Sequence, residues 1–223
     1  TEHPEDLRPV PGVAERWEVS PDGRQYTFHL RTGARWTDGQ PVTAADFAAS
    51  FRRILTPALS AEYANMLYVL RGAEDYHKGR STDFGTVGVL ALDARTLRLT
   101  LENPAPYFLS LLTNPPWYPV PLAAIARHGA IDRRGNPWTR PEKFVGNGPF
   151  LLREWRPHQV IIVARNPGYW DAATVRLNGI HFYPIDSVDA EERAFRSGQL
   201  HLTEFTPVGK IDSYLRAAPQ LLR

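Results

Sequence analysis

The chain has 223 residues and a formal net charge of +2, with 43% hydrophobic and 22% charged side chains, enough to bury a core and unlike a disordered composition. It has no cysteine, which excludes a disulfide framework, thiolate zinc sites and cysteine nucleophiles. It has no basic run interleaved with aromatics of the kind nucleic-acid binders use, and no stretch approaching the ~20 apolar residues of a membrane span.

The acidic, polar start from Thr1 to Asp6 has no apolar leader core, which fits either a cytosolic protein or one whose leader has been removed. After a Pro21-Asp22-Gly23 turn, Tyr26 to Arg31 alternates apolar and polar residues and predicts a half-buried strand. Next come an aromatic expected to be exposed, Trp36, and a reversal at Thr37-Asp38-Gly39, where glycine tolerates positive φ and aspartate bonds its own backbone. A helix should begin near Ala44. Thr43 is a good N-cap and Asp46, three residues on, can reach back to the cap amide. Phe47, Phe51, Ile54 and Leu55 recur at helical spacing, Arg52 and Arg53 suit the C-terminal end, and Pro57 stops the element.

Thr96 to Leu101 predicts a second alternating strand, so both belong to an antiparallel-rich sheet with one wet face. Asn103-Pro104-Ala105-Pro106 ends it, and Tyr107 to Leu112 is a short buried helix or turn. Between Asn114 and Pro121 four prolines in eight residues exclude a central strand or a helix interior, so a domain crossing is expected there, dividing the chain into 1–121 and 122–223. Beyond it, Gln159 to Ala164 and Gly179 to Ile185 are predicted strands. Ser187 to Ser197 is a helix closed by Gly198, and a third strand should run from Gln199 through Phe205. Strand, helix, strand implies a crossover packed on a sheet. Gly209 to Ala217 should be a last helix.

Chemistry is harder to find. The seven histidines are scattered, and none stands at the separation that places two on one helical face around a metal. Gly146-Asn147-Gly148 begins like a dinucleotide fingerprint, but Pro149 removes an amide and a strand follows, so a tight turn is expected. No nucleophile elbow, Walker loop or zinc-protease motif occurs, and no cofactor or metal is indicated. Of the 26 basic residues only Lys78, Lys143 and Lys210 are lysine; the arginine excess is assigned to base composition before acidic ligands. What remains is aromatic: Trp36, Tyr63, Trp117, Tyr118, Trp138 and Trp170 fall in expected loops, where rigid amphipathic rings line grooves for ligands that are held and not transformed.

Three segments carry a resemblance: Pro11 to Trp17, Tyr26 to Arg31, and Gly33 to Phe47 in the same order and spacing. Together they resemble the signature of the peptide-binding family of extracytoplasmic solute-binding proteins, the receptors of oligopeptide, dipeptide and nickel ABC importers. The likeness continues through Leu92 to Leu97, Pro106-Tyr107-Phe108, Pro119-Val120-Pro121, Val145 to Phe150, Arg165 to Trp170 and Phe195 to Leu200.

The resemblance implies an α+β chain: an antiparallel-rich accessory domain followed by part of a type II periplasmic-binding-protein lobe with a mixed sheet. It implies a periplasmic or otherwise extracytoplasmic receptor that hands peptides to a membrane permease, without cofactor and without catalysis. Members of that family that bind nickel chelate, haem or oligosaccharide, or a peptidoglycan hydrolase, are the alternatives. Ser60-Ala61-Glu62-Tyr63-Ala64 is similar to a segment whose tyrosine faces the peptide cleft, which makes Tyr63 a ligand-binding candidate, although Glu62 stands where the family has proline. Asn114 and Trp117 join it as ligand-binding candidates by their place in the breaker cluster. Relative to the family the chain looks like a fragment, and alone it should bind peptides more weakly than micromolar, short of about −8 kcal/mol.

Overall fold

The computed structural model describes His3 and residues 5–221; Thr1, Glu2 and Pro4 of the acidic start, with Leu222 and Arg223, lie outside the described residues. Two compact units emerge: one comprises the chain to Arg153 together with Val163–Ile180, the other Glu154–Ile162 with the chain from His181 onward. The division expected at 121 and 122 does not coincide with this grouping. Ser50 Oγ accepts from the Val120 amide at 2.9 Å, and Ile125, just past the prolines, is fully buried. Breakers bend the chain here without releasing it from the body.

The first unit is built on a four-stranded antiparallel sheet. β1 (Ala14–Val19), β2 (Gln25–Leu30), β3 (Val89–Ala91) and β4 (Thr96–Thr100) lie in the order β1-β2-β4-β3. The register pairs Phe28 with Leu97 and Tyr26 with Leu99, so the apolar residues of both alternating strands fall on one buried face. β3 had no signal of its own; its three residues form a strand because β4 offers them an edge. Gly88 sits at the entry to β3 so close to β4 that an added Cβ would stand 2.1 Å from the Thr100 carbonyl oxygen.

Helix α1 (Ala44–Leu55) starts and stops as expected. The Thr43 amide donates to Asp46 Oδ2 at 2.7 Å and Thr43 Oγ1 accepts from the Asp46 amide at 3.3 Å, a reciprocal cap that satisfies two end groups. Phe51 and Leu55 are buried in the main core with Tyr26, Phe28, Leu97, Leu99, Phe108 and Trp117. Tyr26 meets Phe108 at 4.7 Å between ring centroids, tilted by 59°.

Trp36, expected to be exposed, is buried, 5% accessible. With Ala34 and Val42 it forms a second small core, packed by Phe47, Val145 and Trp170. The turn after it is equally occupied: the Thr37 amide donates to the Gly146 carbonyl at 2.8 Å, and Arg127 pairs with Asp38 at 3.1 Å. Strand end, turn and capped helix therefore act together as a clasp on residues 145–146, and the tryptophan is its inner face. Short helices α2 (Ala73–His77), α3 (Phe108–Leu111) and α4 (Leu122–Ala126) fill out the unit.

β5 (Phe150–Arg156), β6 (Val160–Arg165) and β7 (Gly179–Phe182) form a three-stranded sheet in that order. In the second unit α5 (Val188–Arg196) is capped by Ser187, whose Oγ accepts from the Ala190 amide at 3.3 Å, and α6 (Ile211–Ala217) follows a 3-10 turn. Lys210 and the Tyr214 hydroxyl both donate to the buried Glu192 carboxylate, at 2.7 and 2.8 Å. The strand expected from Gln199 through Phe205 is absent: that segment is irregular, Leu202 is 81% and Phe205 59% exposed, and the Glu204 amide bonds the Glu191 carboxylate at 2.9 Å. An alternating sequence becomes a strand only when a partner takes up its backbone groups, and this one has no pairing neighbour among the described residues.

Candidate functional site

An apolar hollow of the first unit lies between its sheet and α1, with a volume of about 330 Å³. Trp17, Phe28, Phe51, Leu97, Trp117 and Tyr169 are among its walls, and no charged side chain lines it among the described residues. Burial, with the Asp171 charge, pushes the Tyr169 phenol above its ordinary pKa, so it stays neutral. Nearby, the Arg31 guanidinium lies 4.2 Å from the centroid of the Trp170 ring, a cation–π contact. Such a hollow can hold an apolar group by burial; it contains no nucleophile paired with a base.

The three residues singled out from sequence occupy unlike places. Tyr63 is 58% exposed, and the turn around it is tightly made. A 3-10 turn at Pro57–Leu59 is followed by Ser60 at φ +48, and a second 3-10 helix, Ala64–Val69, begins directly after Tyr63. Leu59 and Ala64 are buried on either side, so the tyrosine is presented on a short anchored arch. Arg134 fastens that arch, donating through Nε to the Leu59 carbonyl at 2.9 Å and through a terminal nitrogen to the Ser60 carbonyl.

Asn114 is half-buried and locally employed. Its Nδ2 donates to the Leu111 carbonyl at 3.0 Å and its own carbonyl accepts from the Trp117 amide at 3.1 Å, so it closes α3. Trp117 is 3% accessible and packs edge-on against Phe51 and Phe108, at 5.4 and 5.5 Å between centroids. It belongs to the main core and to the wall of the apolar hollow. Of the three, only Tyr63 is open to solvent.

Sequence reasoning passed over a second hollow of about 350 Å³, walled by Arg53, Arg133, Arg134, Asn136 and Trp138. Its signal was the adjacent pair Arg133-Arg134 before Gly135, hidden within an arginine excess that base composition explained.

The profile of the bacterial extracellular solute-binding proteins, family 5, middle part, matches residues 8–221. The chain belongs to that family. The chain is 37% identical over 211 residues to the dipeptide-binding protein DppE of Bacillus subtilis, and 39% identical over 199 residues to the periplasmic oligopeptide-binding protein OppA of Salmonella typhimurium. These alignments cover 94% and 87% of the chain, but only 37% and 35% of the relatives. The chain thus spans little over a third of their length. Among solved structures it superposes on Haemophilus influenzae OppA in complex with RPPGFSPFR with a TM-score of 0.85 and 32% identity, covering 95% of the chain and 40% of the other. The α+β architecture is that of type II periplasmic-binding proteins, and the family is one of binders, not of enzymes.

Proposed function

We propose that the protein carrying this chain is the extracytoplasmic receptor of an ABC importer, which captures oligopeptides and delivers them to membrane permease subunits. The observation that carries this reading is the agreement of nearly the whole chain with an oligopeptide-binding protein solved in complex with RPPGFSPFR. Its curated relatives named for dipeptide and oligopeptide binding support it, and the periplasmic oligopeptide-binding proteins OppA of Salmonella typhimurium and Escherichia coli support the compartment. No step of covalent chemistry enters: the receptor holds peptide main chain by hydrogen bonds, as in strand addition, and encloses it by domain closure.

Within this chain Tyr63 is the proposed ligand contact, because it is a large, rigid, exposed ring on an anchored arch. Asn114, which closes α3, and Trp117, which lies in the main core and the wall of the apolar hollow, remain proposed contributors to the binding surface. Calorimetric titration of the natural-length protein with mixed tri- to pentapeptides tests the reading. Binding at micromolar affinity or better is expected, and Tyr63→Ala should weaken it by about 1–3 kcal/mol. Unchanged affinity in that variant removes Tyr63 from the site, and no peptide binding at all removes the reading.

A further inference from the structure

The arginine-walled hollow of the first unit is distinct from the apolar hollow beside the sheet. Three guanidinium groups, from Arg53, Arg133 and Arg134, line one space of about 350 Å³, and no carboxylate is in its wall. Among the described residues none of the three stands within ion-pair distance of an acid, as Arg16, Arg80, Arg127 and Arg156 do; exposed Arg35, Arg52 and Arg140 share that lack, so it is the shared hollow that sets the three apart. Asp132 acts on Arg53 only from longer range. A hollow walled by guanidinium groups and by no carboxylate offers N–H donors to a bound anion.

Two of the guanidinium groups are also held in place before any ligand arrives. Arg53 donates Nε to the Ile131 carbonyl at 2.5 Å, and Arg134 donates Nε to Leu59. Spending Nε on backbone fixes the plane of the fork and its terminal nitrogens, the geometry that recognises a two-oxygen anion. Asn136 organises the loop between them: its Nδ2 donates to the Ile125 carbonyl at 3.2 Å and its Oδ1 accepts from the Trp138 amide at 3.1 Å. Trp138, stacked on Phe144 at 5.6 Å, supplies a rigid apolar wall. Arg53 is half-buried at the end of α1, where its charge has lost solvation that Asp132, at longer range, offsets only in part.

We propose that this hollow binds an oxyanion, a carboxylate or a phosphate group, held by Arg53 and Arg133, with Arg134 and Asn136 positioning the loop. Two sources share that chemistry: an acidic group of the captured peptide, since Arg134 also fastens the arch that carries Tyr63, or a free anion. The peptide source rests on the proposed function; the free-anion source does not.

The test titrates the natural-length protein at low ionic strength with inorganic phosphate, with glutarate, and with two tetrapeptides differing only by aspartate against asparagine. Saturable binding of phosphate or glutarate, or a preference of about tenfold for the aspartate peptide, is expected, the gain a charged hydrogen-bonded pair supplies. Either effect should fall about tenfold in Arg133→Gln, a surface change that spares the fold, and again in Arg53→Gln. If neither tetrapeptide binds, the peptide reading fails while the phosphate and glutarate arms still decide the pocket. Absence of both saturable anion binding and peptide preference, or effects untouched by both substitutions, overturns the proposal.

Discussion

In the first unit the turn at Asp38-Gly39, the Thr43–Asp46 cap and the alternation of β2 and β4 all lead to structure that the rest of the unit uses: the turn binds Gly146, the helix buries Phe51, the strands pair in register. From Ser187 onward the local signals are as clear, and α5 is capped at Ser187 and closed at Gly198 as the sequence predicts, yet the following alternating segment stays irregular with Leu202 and Phe205 in solvent. Helix ends are decided within a few residues, because their partners lie in the same turn. Strands are decided by whatever lies beside them, and that neighbour exists for β2 and not, among the described residues, for 199–205.

Substitutions can sharpen this contrast. The largest effect should come from Phe108→Ala, which empties the centre where Tyr26 and Trp117 meet; a loss of about 3–5 kcal/mol is expected in urea unfolding. A loss below about 1 kcal/mol would mean that this core is loosely packed. Next, Thr43→Ala should cost about 1 kcal/mol, read in the same way, because it removes one half of a reciprocal cap.

Glu192 sharpens the comparison through pH. Hydrogen bonds from Lys210 and Tyr214 hold its carboxyl below the ordinary carboxylate range. A group whose folded pKa is depressed stabilises the fold above its unfolded pKa, and that contribution is lost as pH falls through the folded value. Glu192→Gln should therefore lower Tm at neutral pH and flatten its dependence between neutral and acid conditions; a parallel curve for both proteins would strip the cluster of that role. The smallest effect belongs to Leu202→Ser, within about 0.5 kcal/mol in the 223-residue chain, since the side chain is already in water.

The same physics explains what could be read in advance. The strands Tyr26 to Arg31 and Thr96 to Leu101 and helix α1 declared themselves by periodicity and capping, and the family was legible in the motifs between Pro11 and Phe47. Trp36 was misplaced because a tryptophan beside a turn looks exposed until Val145 and Trp170, more than a hundred residues away, close over it. The boundary near Pro121 misled because prolines report a change of chain direction, whereas packing of Ile125 and the Ser50 bond report where the chain stays. Tyr63 was proposed from its motif; the hollow of Arg53, Arg133 and Arg134 had no such motif, because only folding gathers residues 80 positions apart around one space.

The central claim is that the protein holds peptides. Native mass spectrometry of the natural-length protein, purified without denaturation, tests it most directly. Bound masses corresponding to short peptides, displaced by added oligopeptide, are the predicted result; a tightly held non-peptide solute that added peptide does not displace would contradict the account.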